Sequence, residues 1–281
     1  MTESEWTLLD GATEGDQRTL AVAGGQLIAY SCRAPDKPTE NEDAVAIVPY
    51  GDDAAVLVVA DGAGGMPGGR RASQTAVSEL AASLQDSHAE SLLLRTAVLN
   101  GIEAANRAVL DMATGAATTL TVVAIEGRSA RTFQIGDSEA VIVGNRGLIR
   151  AQTMAHSPTG FAVEAGFLDQ RDALHHEERH LVSNFLGTQD MRIDMGAAVE
   201  MQARDTIMVA SDGVTDNVHR DEVIEIIRKG PIAVAIESLI RLAKHRMKVD
   251  SNSQPSKPDD LSVILFRKPP APSSDSARSP A

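Results

Sequence analysis

Three apolar runs in this chain stop on an aspartate. Residues 56–60 (Val-Leu-Val-Val-Ala) run into Asp61-Gly62, residues 132–135 into Gly136-Asp137-Ser138, and residues 207–210 into Ser211-Asp212-Gly213. A fourth carboxylate pair, Asp259-Asp260, opens the run 261–266. Asp is a poor strand former, and a carboxylate at the end of a buried strand is held rigidly beside other strand ends. Carboxylates crowded in this way repel one another unless they are protonated or share a cation. Hard divalent ions bound by oxygen are the usual solution. Any one Asp-Gly is explained better by a turn; the ordered set of strand ends is not.

The rest of the pattern is α+β. Residues 19–22 and 26–31 flank Gly24-Gly25 as a hairpin, and 44–48 and 54–60 form a second hairpin around 50–53. Residues 70–87 read as an Ala-rich helix with Ala72, Ala76, Leu80 and Leu84 on one face, followed by a helix over 90–112. Residues 118–125, 131–135 and 140–143 read as a meander, 151–191 as irregular with some helix, and 205–210 as a strand. Helices are expected over 220–228 and 232–247, a polar loop over 248–258, and the last strand over 261–266. The acidic segment 1–16 is expected to be loosely ordered and the Pro- and Ser-rich segment 268–281 disordered. That leaves 17–267 as one domain. Strands and helices come in separate blocks with hairpin links, which argues for antiparallel sheets rather than a doubly wound one.

Composition excludes several functions. Aromatics are only 3% of residues, so Val, Ile, Leu and Ala must build the core. A net charge of −13 leaves no basic face for a phosphate backbone, so nucleic acid is not an expected partner. Cys32 is the only cysteine, which rules out an internal disulfide and a cysteine-based zinc site. The acidic N-terminus has no apolar h-region, and no apolar stretch approaches the roughly 18 residues of a membrane span. The chain is therefore expected in the cytoplasm, without a membrane partner.

The candidate site is Asp43, Asp61, Asp137, Asp212, Asp216 and Asp259. Gly62 has a bare backbone whose carbonyl can turn toward a ligand. Asp212 and Asp216 share a face if their segment enters a helical turn. Oxygen-only ligands select Mg2+ or Mn2+ over zinc. Two such ions, roughly 3.5–4 Å apart, can bridge a water, lower its pKa toward neutrality and set it against a phosphoryl group.

Six stretches carry a resemblance: Asn41-Glu-Asp43, Val59-Ala-Asp-Gly-Ala-Gly-Gly-Met-Pro-Gly-Gly69, Ala117-Thr-Thr-Leu120, Ile135-Gly-Asp-Ser138, Val209-Ala-Ser-Asp-Gly-Val-Thr-Asp216 and Asp259-Asp-Leu-Ser-Val263. In this order, over about residues 20 to 267, the chain resembles the metal-dependent protein phosphatase family, type 2C, in its bacterial form. The resemblance implies a sandwich of two antiparallel sheets flanked by helices, with 17–267 as the catalytic domain. It implies hydrolysis of phosphoserine and phosphothreonine in proteins with Mn2+ or Mg2+, two ions and a third, weaker one. Phosphorylated proteins are the implied partners, with a Ser/Thr kinase or its substrates beside them. Asp61 would bridge the two ions, Asp212 and Asp259 would hold one, and the Gly62 carbonyl the other. Asp43, with Glu42, would act on the second ion through its waters, and Asp137 would help hold the third.

The chain also departs from the family. Where members carry a histidine after Asp-Gly, this chain has Ala63 or Met66, neither a proton donor. Glu139 stands in the usual place of an arginine, which removes or inverts an ion pair. Asp260 stands where Asn is usual, adding negative charge. Pro38 falls where bacterial members often place a phosphate-gripping arginine, leaving Arg33 and Lys37 as candidates for that contact. These departures keep an alternative open, an inactive phosphatase-like module that binds phosphoproteins.

Two other motifs compete. His176-Glu-Glu-Arg-His180 fits the H-E-x-x-H zinc signature, which requires a helix; its charged middle residues favour a solvated segment. The glycine-rich loop 62–71 could cradle a nucleotide phosphate but lacks Gly-Lys-Ser/Thr. Residues 157–190 are longer than a simple connection needs, and in the family this region includes a flap that influences substrate choice.

Overall fold

The computed structural model describes residues 6–63, 68–249 and 254–269. In chain order the elements begin with strands β1 (Thr7–Asp10), β2 (Asp16–Val22), β3 (Gly25–Cys32), β4 (Asp43–Pro49) and β5 (Ala54–Asp61). Helices α1 (Gly69–Ala89) and α2 (Leu94–Asp111) follow, then β6 (Leu120–Glu126), β7 (Ser129–Ile135), β8 (Glu139–Val143) and β9 (Ile149–Gln152). Next come α3 (Pro158–Glu164), α4 (Gln170–Ala173), β10 (Asp194–Met195), β11 (Val199–Glu200) and β12 (Thr206–Ala210). The chain closes with α5 (Asp212–Thr215), α6 (Arg220–Ile227), α7 (Ile232–Lys248) and β13 (Leu261–Arg267).

The strands form two sheets. One runs β1-β4-β5-β6-β7-β10, with β11 also on β7; the other runs β2-β3-β13-β12-β8-β9. The long strands read as continuous apolar runs because both of their faces are covered. Along β4 and β5, Ala44, Ala46, Val56 and Val58 pack under α1 and α2. Their alternates Val45, Ile47, Leu57 and Val59 meet Ile207, Val209, Ile264 and Phe266 of the other sheet. Met208, Val263 and Leu265 turn the opposite way, toward Ile236, Leu239 and Ala243 of α7. This period-2 division produces four layers, helix–sheet–sheet–helix. The expected stripe of α1 is buried, and Gly101 of α2 lies so close to Leu80 that a Cβ there would stand 2.5 Å from its Cδ1.

Three expectations need correction. Residues 7–10 are not loosely ordered; Leu9 is fully buried, and β1 extends the first sheet by pairing with β4. The three runs over 118–143 are not one meander. β6 and β7 pair in the first sheet, but Gly136–Ser138 carries the chain into the second, where β8 pairs with β12. The second helix starts at Leu94 rather than at 90. The expected disorder over 270–281 concerns residues outside those described.

Register brings the aspartates to one end of the sandwich. Asp43 opens β4 directly opposite Asp61, which closes β5. The end of β7 faces the start of β6, and Asp137 follows it two residues on. In the other sheet the end of β12 faces the starts of β8 and β13, placing Asp212 and Asp259 just beyond. Gly213 makes that junction possible: a Cβ there would collide with the Asp260 carbonyl.

Candidate metal centre

Like charges directly opposite on paired strands are destabilising, so the Asp43–Asp61 pair needs an explanation from its surroundings. Asp43 is only 1% exposed. The Ser211 hydroxyl donates to its Oδ2 at 2.8 Å, and its own amide donates to Asn41 Oδ1 at 3.0 Å. Ser211 in turn accepts from the Ser262 amide, and Asn41 donates to Ser31, which is bonded to the Ser262 hydroxyl. This buried chain of hydroxyls and amides ties β4 to the strand ends of the other sheet. Asp61 is fixed through its backbone: its amide donates to Thr119 Oγ1 at 3.0 Å, and its carbonyl accepts from the Thr118 hydroxyl and the Thr119 amide, both at 2.8 Å. Thr119 is bonded to Ser138, next to Asp137. Among the described residues no Lys or Arg forms an ion pair with Asp43, Asp61 or Asp137.

The second group has a partner. Lys257 Nζ forms ion pairs with Asp212, with Asp216 at 2.9 Å and with Asp259 at 3.1 Å. A second lysine, Lys37, reaches Asp260 at 2.6 Å and Glu42 at 2.7 Å. Asp260 also accepts from the Ala34 and Glu42 amides, so the extra negative charge at this position is fully engaged.

Burial and mutual repulsion hold the cluster's protons. Asp61 is pushed well above the usual carboxylate range, by burial first and then by Asp43, Asp212, Asp259 and Asp137. Asp43 is pushed the same way by burial and by Asp260. Asp137 rises to about 8 through burial, Asp212 and Asp216. Asp216 and Asp259 rise only to about 6; burial and Asp212 raise them, and Lys257 pulls them back.

These residues fit divalent cations. The donor set is oxygen only, and Asp43 Oδ1 and Asp212 Oδ1 are buried without a hydrogen-bond partner. As the side chains stand, no three His, Cys, Asp or Glu among the described residues form a ready coordination group. The space among Asp212, Asp216 and Asp259 is taken by the Lys257 ammonium.

Asp61, Gly62, Asp137, Asp212 and Asp259 line one cleft of about 620 Å³. Asp43 lies beneath it, buried against Ser211. Arg33 does not line the cleft; its guanidinium donates to the Thr39 carbonyl at 3.3 Å, holding the loop that carries Lys37, which does line it. Glu42 is engaged by Lys37. Ala63 lines the cleft, and Met66 lies outside the described residues, as does part of the glycine-rich loop. Glu139 pairs with Arg220 at 3.0 Å, so the local ion pair is inverted in sign. The 176–180 segment forms turns rather than a helix, which removes the basis of the zinc signature. His180 nonetheless lines the carboxylate cleft.

Sequence reasoning assigned no role to the supports: Ser31, Asn41, Ser211 and Ser262 under Asp43, and Thr118, Thr119 and Ser138 beside Asp61, of which only Ser31 lies outside the resembling stretches. It also missed Lys257 and His156. His156 is buried; its Nδ1 accepts from the Gly136 amide, and its Nε2 bonds Asp194 at 3.1 Å. Only Lys257, two residues before Asp259, left a readable signal.

A buried cluster of carboxylates at one end of a four-layer sandwich is the arrangement that the motifs anticipated. The family model for protein phosphatase 2C matches residues 33–244. Protein phosphatase PhpP of Streptococcus pneumoniae is 27% identical over 228 residues, 76% of this chain and 90% of that protein. The serine/threonine phosphatase PstP/Ppp of Mycobacterium tuberculosis superposes with a TM-score of 0.70 at 25% identity, covering 87% of this chain and 99% of the other. A structure of the PstP catalytic domain in complex with two manganese ions superposes at 0.66 and 24% identity, covering 86% and 97%. The chain belongs to the protein phosphatase 2C family.

Proposed function

We propose that this chain is a protein serine/threonine phosphatase that hydrolyses phosphoserine and phosphothreonine with Mn2+ or Mg2+. The observation that carries this is the meeting of Asp43 and Asp61, a register pair of one sheet, with Asp212 and Asp259 of the other, where buried carboxylate oxygens lack partners. Asp61, Gly62, Asp212 and Asp259 would hold two ions, with Asp43 alongside and Asp137 serving a third. The two manganese ions of the PstP catalytic domain support this reading. When bound, the ions supply Lewis acidity and an activated water.

The chain's own residues do the rest. The Ser211 and Thr119 contacts fix Asp43 and Asp61 in position, so little reorganisation accompanies reaction. Carboxylates outnumber Lys37 and Lys257 along the cleft, so a phosphate dianion enters chiefly against divalent charge. The methyl of Ala63 cannot protonate a leaving serine or threonine. That proton comes from solvent in the cleft or from His180, which lines it.

The substrates are phosphoproteins, and the opposing enzyme is a Ser/Thr kinase. No helix among the described residues is long and apolar enough to cross a membrane. We place the activity in the cytoplasm, where the buried free thiol of Cys32 stays reduced; cell fractionation tests this. For the activity itself, purified protein with Mn2+ should release phosphate from a phosphothreonine peptide, and EDTA should stop it. Release no greater than that of Asp212→Asn would overturn the reading and leave a phosphoprotein-binding module.

A further inference from the structure

The approach of Lys257 to the carboxylates is built, not incidental. Its backbone is clamped on both sides by one buried side chain: the Lys257 amide donates to Asn217 Oδ1 at 2.8 Å, and Asn217 Nδ2 donates to the Lys257 carbonyl at 2.8 Å. Asn217 follows α5, which starts at Asp212, and its Nδ2 also donates to the Gly213 carbonyl. The clamp is locked from outside. Arg246 of α7 donates to the Asn217 carbonyl while pairing with both oxygens of Glu222, and Ser256 donates to the Arg246 carbonyl. Lys257 and Asp212 are thus fixed to one small buried unit, and the ammonium has three carboxylates within 3.1 Å. The Lys257 side chain is 21% exposed, leaving a path out toward the cleft it lines.

We infer that Lys257 is a tethered cation that holds the Asp212–Asp216–Asp259 end of the centre in place of a divalent ion, and that an ion binding there must displace it. This rests on the metal-dependent reading above. It requires no proton loss, since the ammonium leaves as an ammonium, swinging on a backbone that Asn217 keeps still. The Asp43–Asp61 end has no such occupant among the described residues, so the two ends bind ions unequally. The first ion enters beside Asp61 and Asp43; the second competes with a charge already present. Two ligands for one set of oxygens exclude each other, and the exclusion lowers apparent affinity.

The test compares wild type, Lys257→Gln and Lys257→Arg, stripped with EDTA, dialysed and titrated with MnCl2 by calorimetry at fixed pH. The inference expects Lys257→Gln to bind its second Mn2+ at least about tenfold more tightly than wild type, with Lys257→Arg close to wild type. It also expects Lys257→Gln to melt lower in EDTA and to gain more from Mn2+. Amine acylation followed by peptide mass spectrometry reads the same event in the unaltered protein, independently of variant folding. Labelling of Lys257 should rise several-fold on adding Mn2+ while that of the distant Lys268 stays constant. Equal Mn2+ affinity in wild type and Lys257→Gln, or metal-independent labelling, overturns the inference and leaves the phosphatase reading standing. No Mn2+ binding by any of the three overturns both.

Discussion

The two ends of the carboxylate centre use one residue type, placed in one way, with opposite electrostatic outcomes. Asp43 and Asp61 face each other in register on one sheet, supported only by hydroxyls and backbone amides. Asp212, Asp216 and Asp259 gather at the end of the other sheet around an ammonium. Asp216 and Asp259 rise to about 6, whereas Asp137, which makes no ion pair with Lys257, reaches about 8, and Asp61 is driven well above its usual range. Burial is the first cause in every case. An internal cation separates the two ends: one is compensated from within, the other only by the protons it retains. A strand-end aspartate therefore announces a site, while its neighbours decide how much external charge the site draws in.

The sharpest way to break this comparison is to remove one charge from each end. Asp61→Asn should reduce Mn2+-dependent turnover of a phosphothreonine peptide by about a thousandfold or more, because metal-derived stabilisation is worth several kcal/mol. Asp216→Asn should cost about tenfold or less, since Lys257 keeps two carboxylates. In EDTA the order reverses: Asp61→Asn should melt higher than wild type, having lost a buried repulsion. Comparable losses of turnover from the two variants would mean that the ends are equivalent.

The pH dependence of the metal-free protein sharpens the same contrast. A carboxylate raised by folding binds more protons in the native than in the unfolded state between its two pKa values. Its stabilising contribution is complete below about pH 4, near the unfolded value, and is lost as pH rises through the folded value. Asp216 and Asp259 lose theirs around pH 6, and Asp137 around pH 8. Stability in EDTA should therefore fall from pH 5 to 8, by about 1.4 kcal/mol per pH unit for each proton of difference. Saturating Mn2+ should flatten or invert the fall, since metal binding releases those protons. Urea melts at four pH values, with and without Mn2+, read this directly; a flat EDTA profile would contradict the assignment.

Lys37 offers a structural counterpart to Lys257. It bridges Asp260, 2% exposed, and Glu42, and makes no ion pair with Asp212, Asp216 or Asp259. Lys37→Met should destabilise by about 2–3 kcal/mol, somewhat below the loss from breaking a fully buried pair because the ammonium is partly solvated. Adding Asp260→Asn should recover much of this, as the stranded charge disappears. Mn2+ affinity should change little in either variant, in contrast to substitutions at Lys257.

How much of this was legible in the sequence follows from the range of each signal. The aspartates were readable because an acidic residue ending an apolar run violates strand propensity, and such violations mark function. The sandwich's strands were readable as short apolar runs bounded by turns, and its long helices from period 3.6. The division of strands between sheets was not: β7 and β8 lie three residues apart and look like a hairpin, yet the left-handed Gly136 (φ 97°) redirects the chain between sheets. β1 was hidden because four residues carry too little periodicity against an acidic background, and only its pairing with β4 orders it. The roles of Ser31, Asn41, Ser211 and Ser262 were not readable, although all but Ser31 lie in the resembling stretches, because those roles arise from contacts up to 231 residues apart. Arg33 turns its guanidinium to the Thr39 carbonyl rather than to the cleft, an orientation that proximity along a loop does not fix.

The smallest expected effect lies around α3, whose Thr159, Gly160 and Val163 line a second cleft together with Asp137 and Asp212. α3 begins with Ser157 capping the Gly160 amide, and Phe161 of the same helix stacks on His156 with ring centroids 6.4 Å apart. Phe167, just beyond, is 88% exposed, an apolar ring with nothing to bury it. Replacing Phe167 with Ser removes no core contact, so stability should stay within about 0.5 kcal/mol. A small aryl phosphate reaches only the carboxylate cleft, and its kcat/KM should hold within about twofold. A phosphopeptide extends past the rim and can cover the ring; losing that burial should lower its kcat/KM by about three- to tenfold, chiefly through KM. Parallel kinetics on the two substrates decide the matter. Equal losses would tie this segment to the centre itself, through the His156 bond to Gly136 beside Asp137, and would extend the unequal pair of ends to a third, flap-linked element.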